Sequence, residues 1–166
     1  MASNAILYRM PSGIPGAISR HSQSTIEPAT MDPNNPFPAY GLFGKIVNGK
    51  LIPLAAGDAA GVIYGLLVRA YPTQGGNPSD PIGAATPRAY GIGDVLRRGY
   101  MTVRVNAGTA AMNGQVYVRV GGATAGKPLG GIEAVADATP ANTIAVSATF
   151  MSAADASGNV EIAYNI

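Results

Sequence analysis

Glycine and proline interrupt this chain so often that a long helix has nowhere to form: 166 residues carry 22 glycines and 13 prolines. Inside a helix, glycine costs about 1 kcal/mol and proline about 3 kcal/mol relative to alanine. No segment keeps a 3.6-residue amphipathic period for more than about two turns. What lies between the interruptions alternates instead. In "YMTVRV", Met101, Val103 and Val105 alternate with Thr102 and Arg104. In "QVYVRV", Val116, Val118 and Val120 fall on one side and Tyr117 and Arg119 on the other. A two-residue period is that of a half-buried strand. "YGLFGKIVNGKLIPL" reads as two strands closed by an Asn48-Gly49 turn, the strongest short hairpin signal. "GVIYGLLVRAY" reads as a buried strand in which Gly65 marks a bulge or a close backbone approach. "DVLRRGYMTVRV" predicts one helical turn and then a strand from Tyr100 to Val105, and "GIEAVA", "NTIAVSATF" and "NVEIAYNI" add three strands. The loop "AADASGNV" places Gly158 where a positive φ is needed. About eight strands, with a turn signal every eight to twelve residues, predict an all-β sandwich or barrel.

The first 38 residues follow another rule. Pro11, Pro15, Pro28, Pro33, Pro36 and Pro38 fix φ and remove donors, which denies this stretch a regular helix or a central strand. It is nevertheless too apolar for a flexible linker, with Ile6, Leu7, Tyr8, Ile14, Ile18, Ile26 and Phe37 scattered through it. Residues 1–38 therefore read as an extended Pro-rich N-terminal arm lying on its own domain or on a neighbour, and residues 39–166 as a single β domain. The chain shows no internal repeat of 20–50 residues.

Charge narrows the partners. Only 12% of residues are charged, about half the usual share, which suits a surface partly covered by other proteins. The net charge is +2, the basic residues are scattered, and Arg97–Arg98 is the one adjacent pair. No basic stripe with interleaved aromatics points to nucleic acid. The N-terminus lacks the pattern of a secretory signal. "VIYGLLV" is too short to span a membrane. The expectation is synthesis in a cytoplasm, with no membrane partner.

Catalytic chemistry finds no footing. "GGATAGKP", Gly121 to Pro128, stops one residue short of the phosphate-binding pattern G-x-x-x-x-G-K-[ST]. Pro128 replaces the hydroxyl that would hold Mg²⁺, and the glycines after it deny the helix such a loop requires, so it reads as a turn between strands. "GIGDVLRRG" begins like a dinucleotide fingerprint but has Leu96 at the third glycine position. His21 is the one histidine and there is no cysteine, a poor basis for a transition-metal site; His21 reads as a surface residue. The nine carboxylates are spread singly, and "DPNN" at Asp32–Asn35 reads as a turn. The expectation is a protein that is not an enzyme, has no cofactor or metal, and works by surface contact.

Several phrases carry a resemblance: the proline-rich "SRHSQSTIEPATMDPNNPFP", then "AYGLFGKIV", "GVIYGLLVR", "GDVLRRGYMTV" and "VYVRV". From about Arg20 to the C-terminus the chain resembles the structural cement (decoration) proteins of tailed-bacteriophage capsids. The resemblance implies a β-sandwich, jelly-roll-like, that binds the outer capsid surface. There it would bridge capsomeres of the major capsid protein and stabilise the expanded shell. It also implies a symmetric homo-oligomer, a dimer ahead of a trimer, made in the host bacterial cytoplasm and carried on the virion. Ile14, Ile18, Arg20, Phe37 and Tyr40, in and just after the arm, are the candidate capsid or self contacts. The alternative is a phage tail or fibre β-domain that recognises a glycan or receptor through loops such as "PTQGGNPSDP", although the chain has no tryptophan for a sugar platform.

Overall fold

The computed structural model describes residues 12–70 and 86–166; the "PTQGGNPSDP" loop lies outside them. Among the described residues there are nine strands, three short 3-10 turns and no α-helix. Among the described residues no helix is long and apolar enough to cross a membrane. The strands are β1 (Thr25–Thr30), β2 (Phe43–Val47), β3 (Lys50–Pro53), β4 (Gly65–Leu67), β5 (Ile92–Ala107), β6 (Gln115–Arg119), β7 (Ile132–Glu133), β8 (Thr143–Phe150) and β9 (Asn159–Tyr164). The all-β expectation holds.

β5 organises the rest, because its 16 residues belong to two sheets in succession. Its first half pairs antiparallel with β1, from Thr30↔Ile92 to Thr25↔Arg98, and with β4 through Leu66↔Leu96. Its second half pairs antiparallel with β9, from Gly99↔Tyr164 to Arg104↔Asn159, and then parallel with β7 at Val105↔Ile132. One sheet therefore runs β5-β7-β6-β8-β9 and returns to β5, a closed barrel-like sheet with no free edge. The other runs β3-β2-β4-β5-β1, and a Met31↔Leu51 bridge draws its two edges together.

The helical turn expected before Tyr100 is replaced by strand. Residues 92–98 find backbone partners in β1 and β4, and a helical turn would leave those partners unpaired. Gly99, at φ +134°, sits where the strand leaves one sheet for the other, and a Cβ there would lie 2.7 Å from the Ser24 Cα. Gly65 marks the close approach that its position in the sequence implied: a Cβ would strike the Leu96 carbonyl oxygen. The Asn48-Gly49 hairpin is present, with φ of 51° and 75° at the two turn residues and Val47↔Lys50 closing it. Gly158 takes φ +78° in the loop between β8 and β9.

The hydrophobic residues divide into two cores. Met101, Val103, Val116, Val118, Ile132, Phe150, Val160 and Ile162 fill the closed sheet, joined by Phe43, Leu66 and Leu96 from the other sheet. Met31, Phe37, Tyr40, Leu42, Leu51, Leu67 and Val95 form the second core. Adjacent residues of β4 thus point into different cores, which is why "GLL" is buried at every position instead of alternating.

The Pro-rich segment lies along this body over its described part. Gly16 N–H donates to the Thr102 carbonyl (2.8 Å), Thr102 N–H to Ala17 (2.9 Å) and Ser19 N–H to Tyr100 (3.2 Å). Farther on the segment becomes β1, an edge strand, which the proline spacing allows although it denies a central one. It survives because its one ladder is with β5, so the missing N–H of Pro28 can face the open side.

Candidate interaction surface

The five candidate contact residues do not form one site. Ile14 is half-buried. Ile18 forms an isolated bridge with Met101 and packs against the first core. Phe37 and Tyr40 are only 3% and 8% exposed and belong to the second core. Their apolar bulk is therefore packed within the chain, although Tyr40 also lines a surface cleft. Arg20 is exposed yet engaged: its guanidinium holds both Glu161 oxygens, Nε–Oε1 at 3.1 Å and Nη2–Oε2 at 2.8 Å, and lies 4.0 Å from the Tyr100 ring centroid.

That arrangement recurs. The Arg97 guanidinium lies 3.8 Å from the Tyr64 ring centroid, and its Nε lies 3.3 Å from Glu27 Oε2. Tyr64 donates its hydroxyl to the same oxygen at 2.6 Å, and this bond, with burial, raises its pKa. The Arg69 guanidinium lies 4.6 Å from the Tyr40 ring centroid and donates from Nε to the Pro15 carbonyl (2.9 Å). Burial pushes Arg69 below its ordinary pKa. Each arginine–tyrosine pair fastens part of residues 15–40 to the body, combining a cation over a ring face with a directional bond. The sequence carried no signal for these pairs, since each joins residues brought together only by the sheets.

A second cluster was also hidden. Arg119 is 1% exposed, although strand alternation placed it opposite the core valines. Its Nε and Nη2 bond Glu133, its Nη2 bonds Asp137 Oδ2 (2.6 Å), and its Nη1 bonds the Gly121 carbonyl (2.9 Å). The Arg119 bond, helped by the Thr139 N–H and Asn142, holds the Asp137 carboxyl well below the usual carboxylate range. Every donor faces an acceptor of the chain itself, which makes this a structural tie rather than a reactive centre. It anchors one end of "GGATAGKP", which connects β6 to β7 as a turn closed by the Thr124↔Lys127 bridge. His21 is exposed in a 3-10 turn. Asp32 accepts from Asn34 and Asn35 in the expected turn. Among the described residues no three His, Cys, Asp or Glu side chains could share a metal ion.

Two further surface features lie among the described residues. The tip of the β2–β3 hairpin carries Ile46 and Val47, 37% and 41% exposed, beside exposed Lys50. A cleft of about 620 Å³ opens between the N-terminal segment, β5 and the "GGATAGKP" turn, lined by Pro15, Tyr40, Arg69, Arg104, Asn106 and Pro128 among others. Arg104 is exposed and makes no ion pair among the described residues.

Comparisons with known proteins place this geometry. The family model described as XM1 gp53 minor capsid protein matches residues 3–164. Among solved structures, a chain from the capsid of Myoviridae phage XM1 matches with a TM-score of 0.69 at 20% identity, covering 99% of this chain and 97% of that one. At that identity the likeness speaks for the fold. No match is found among curated proteins.

Proposed function

Because this chain belongs to the XM1 gp53 minor capsid protein family, and so is a structural protein associated with a tailed-phage capsid, we propose that it is a cement protein. It binds the outer surface of the shell, bridges capsomeres of the major capsid protein and acts without catalysis. The family match over residues 3–164 carries the reading. The physical case is mass action: a protein that binds only the assembled, expanded shell stabilises that state by about RT ln(1 + [L]/Kd). Modest contacts suffice if a symmetric oligomer, a dimer in this proposal, engages several shell subunits at once. A body with one sheet closed on itself and its N-terminal segment fastened down loses little conformational freedom on binding.

The test is co-sedimentation with expanded shells lacking this protein, with unexpanded shells as control. The expected result is saturable binding at a fixed ratio to the major capsid protein and greater heat resistance of the loaded shells. Absence of binding to both forms overturns the proposal and turns attention to a tail or fibre module, for which a glycan array is the next assay.

A further inference from the structure

A cleft of about 620 Å³ opens beside the "GGATAGKP" turn. It is framed by elements distant in sequence, and its walls mix ring faces and carbon with polar groups. Pro15 and Pro128 have no N–H to offer, and the ring of Tyr40 is held under Arg69. Its polar side chains are cationic or neutral, Arg104, Arg69, Asn106, Thr86 and the Tyr40 hydroxyl, with no carboxylate among the described lining residues. Arg69 is committed through Nε to the Pro15 carbonyl, and Asn106 donates to the Gly126 carbonyl at 3.0 Å. Both bonds hold the cleft's walls in place. Arg104 differs, because it stands on β5, a strand fixed on both sides, with its guanidinium outside any ion pair among the described residues.

We propose that this cleft receives an extended acidic segment of the capsid partner, with a carboxylate paired to Arg104. The inference rests on the cement reading and deepens it by giving the partner's chemistry. Charge complementarity selects the occupant. A low-charge protein that sets the exposed Arg104 at this cleft, with no counter-carboxylate among the described lining residues, favours an anionic guest. The planar guanidinium suits a carboxylate in a two-point bond. The volume falls within the range of about 300–1,000 Å³ typical of ligand pockets, enough for a few residues of extended chain. Nucleic acid fits less well, since two arginines among prolines make no stripe along which a phosphate backbone could run.

The experiment measures binding of the full-length protein to expanded shells lacking it, comparing wild type, Arg104→Glu and Arg98→Glu. Arg98 is exposed on the same strand but does not line the cleft, so its variant carries the same charge change elsewhere. Thermal melts establish that both variants fold. The expected result is an affinity loss of tenfold or more for Arg104→Glu, less than threefold for Arg98→Glu, and a weaker salt dependence for Arg104→Glu than for wild type. Equal binding by wild type and Arg104→Glu overturns the acidic-segment inference and leaves the cement reading standing. Equal losses in both variants also overturn it, since they show a response to net charge. Failure of wild type to bind overturns both.

Discussion

Arg119 shows what strand alternation can and cannot reveal at the level of single residues. The two-residue period correctly sent Val116, Val118 and Val120 to the core. The same period put Arg119 on the other face, but in this closed sheet that face is not always solvent. Here it is covered by Glu133 and Asp137, carboxylates that the sequence spreads singly. Replacing Arg119 with methionine keeps much of the bulk but strands the Glu133 carboxylate, which is 1% exposed. Losing one partner of a buried ion pair costs about 3–5 kcal/mol. At about 2–4 °C per kcal/mol for a domain of this size, the expected fall in melting temperature is roughly 6–20 °C. Adding Glu133→Leu should recover part of it. A fall of under about 2 °C in the single variant would mean that the tie is not a stabilising one. Asp137 gives the pH signature. Its folded pKa lies below the unfolded value of about 3.9, so its contribution is complete above that value and disappears as pH falls toward the folded pKa. Melting curves from pH 6 to 2 should therefore decline less steeply for Asp137→Asn than for wild type, from a lower starting point at pH 6. Some slope should remain, because Asp32 is also held low, chiefly by Asn35. Parallel curves would remove Asp137 from the account.

Among the elements, those specified by local chemistry were legible and those specified by their neighbours were not. The β2–β3 hairpin needs a turn with two positive φ values, and Asn48-Gly49 supplies it within the sequence. The start of β5 reads as one helical turn because "DVLRRG" carries no strand pattern of its own; β1 and β4 on either side impose one. The Pro-rich segment reads as extended without a strand being placed in it; proline excludes central strands but not edges, and its partner β5 is what makes part of it a strand. Gly65 lies between these cases: its place in an apolar run signals close approach, and only the fold shows the approach is to Leu96. Gly65→Ala should destabilise by about 1–3 kcal/mol, the usual cost of overpacking, because the new Cβ would also meet Val95 Cγ1 at 2.7 Å. Gly126→Ala, with nothing within 4 Å, should be close to neutral. Chemical denaturation of the two variants side by side checks the contrast, and equal midpoints would refute the packing argument.

For the whole molecule, the structure decides what residues 12–38 lie on, their own body, where the sequence leaves their own domain or a neighbour open. Composition marked them as an arm, and an arm invites deletion as the test of whether it binds a capsid. The structure makes that experiment ambiguous. Removing residues 1–36 takes away β1, the one neighbour of β5 on that side along Ile92–Arg98, together with the Gly16–Ser19 bonds to Tyr100 and Thr102. It also takes Met31 from the second core, and the Arg20 and Glu27 partners of two arginine–tyrosine clamps. A strand edge and the flank of a hydrophobic core would be opened together, a combination that favours aggregation. The truncated protein should therefore lose its cooperative melt and leave size-exclusion columns in the void volume. Arg20→Ala, which loosens one exposed clamp, should melt as a single transition close to wild type. If the truncation instead melts cooperatively near the wild-type midpoint, residues 12–36 are a detachable arm, and loss of shell binding on their removal would report contact. If it collapses as expected, that loss reports only a broken fold, and the capsid-facing surface has to be mapped by single substitutions on the intact chain.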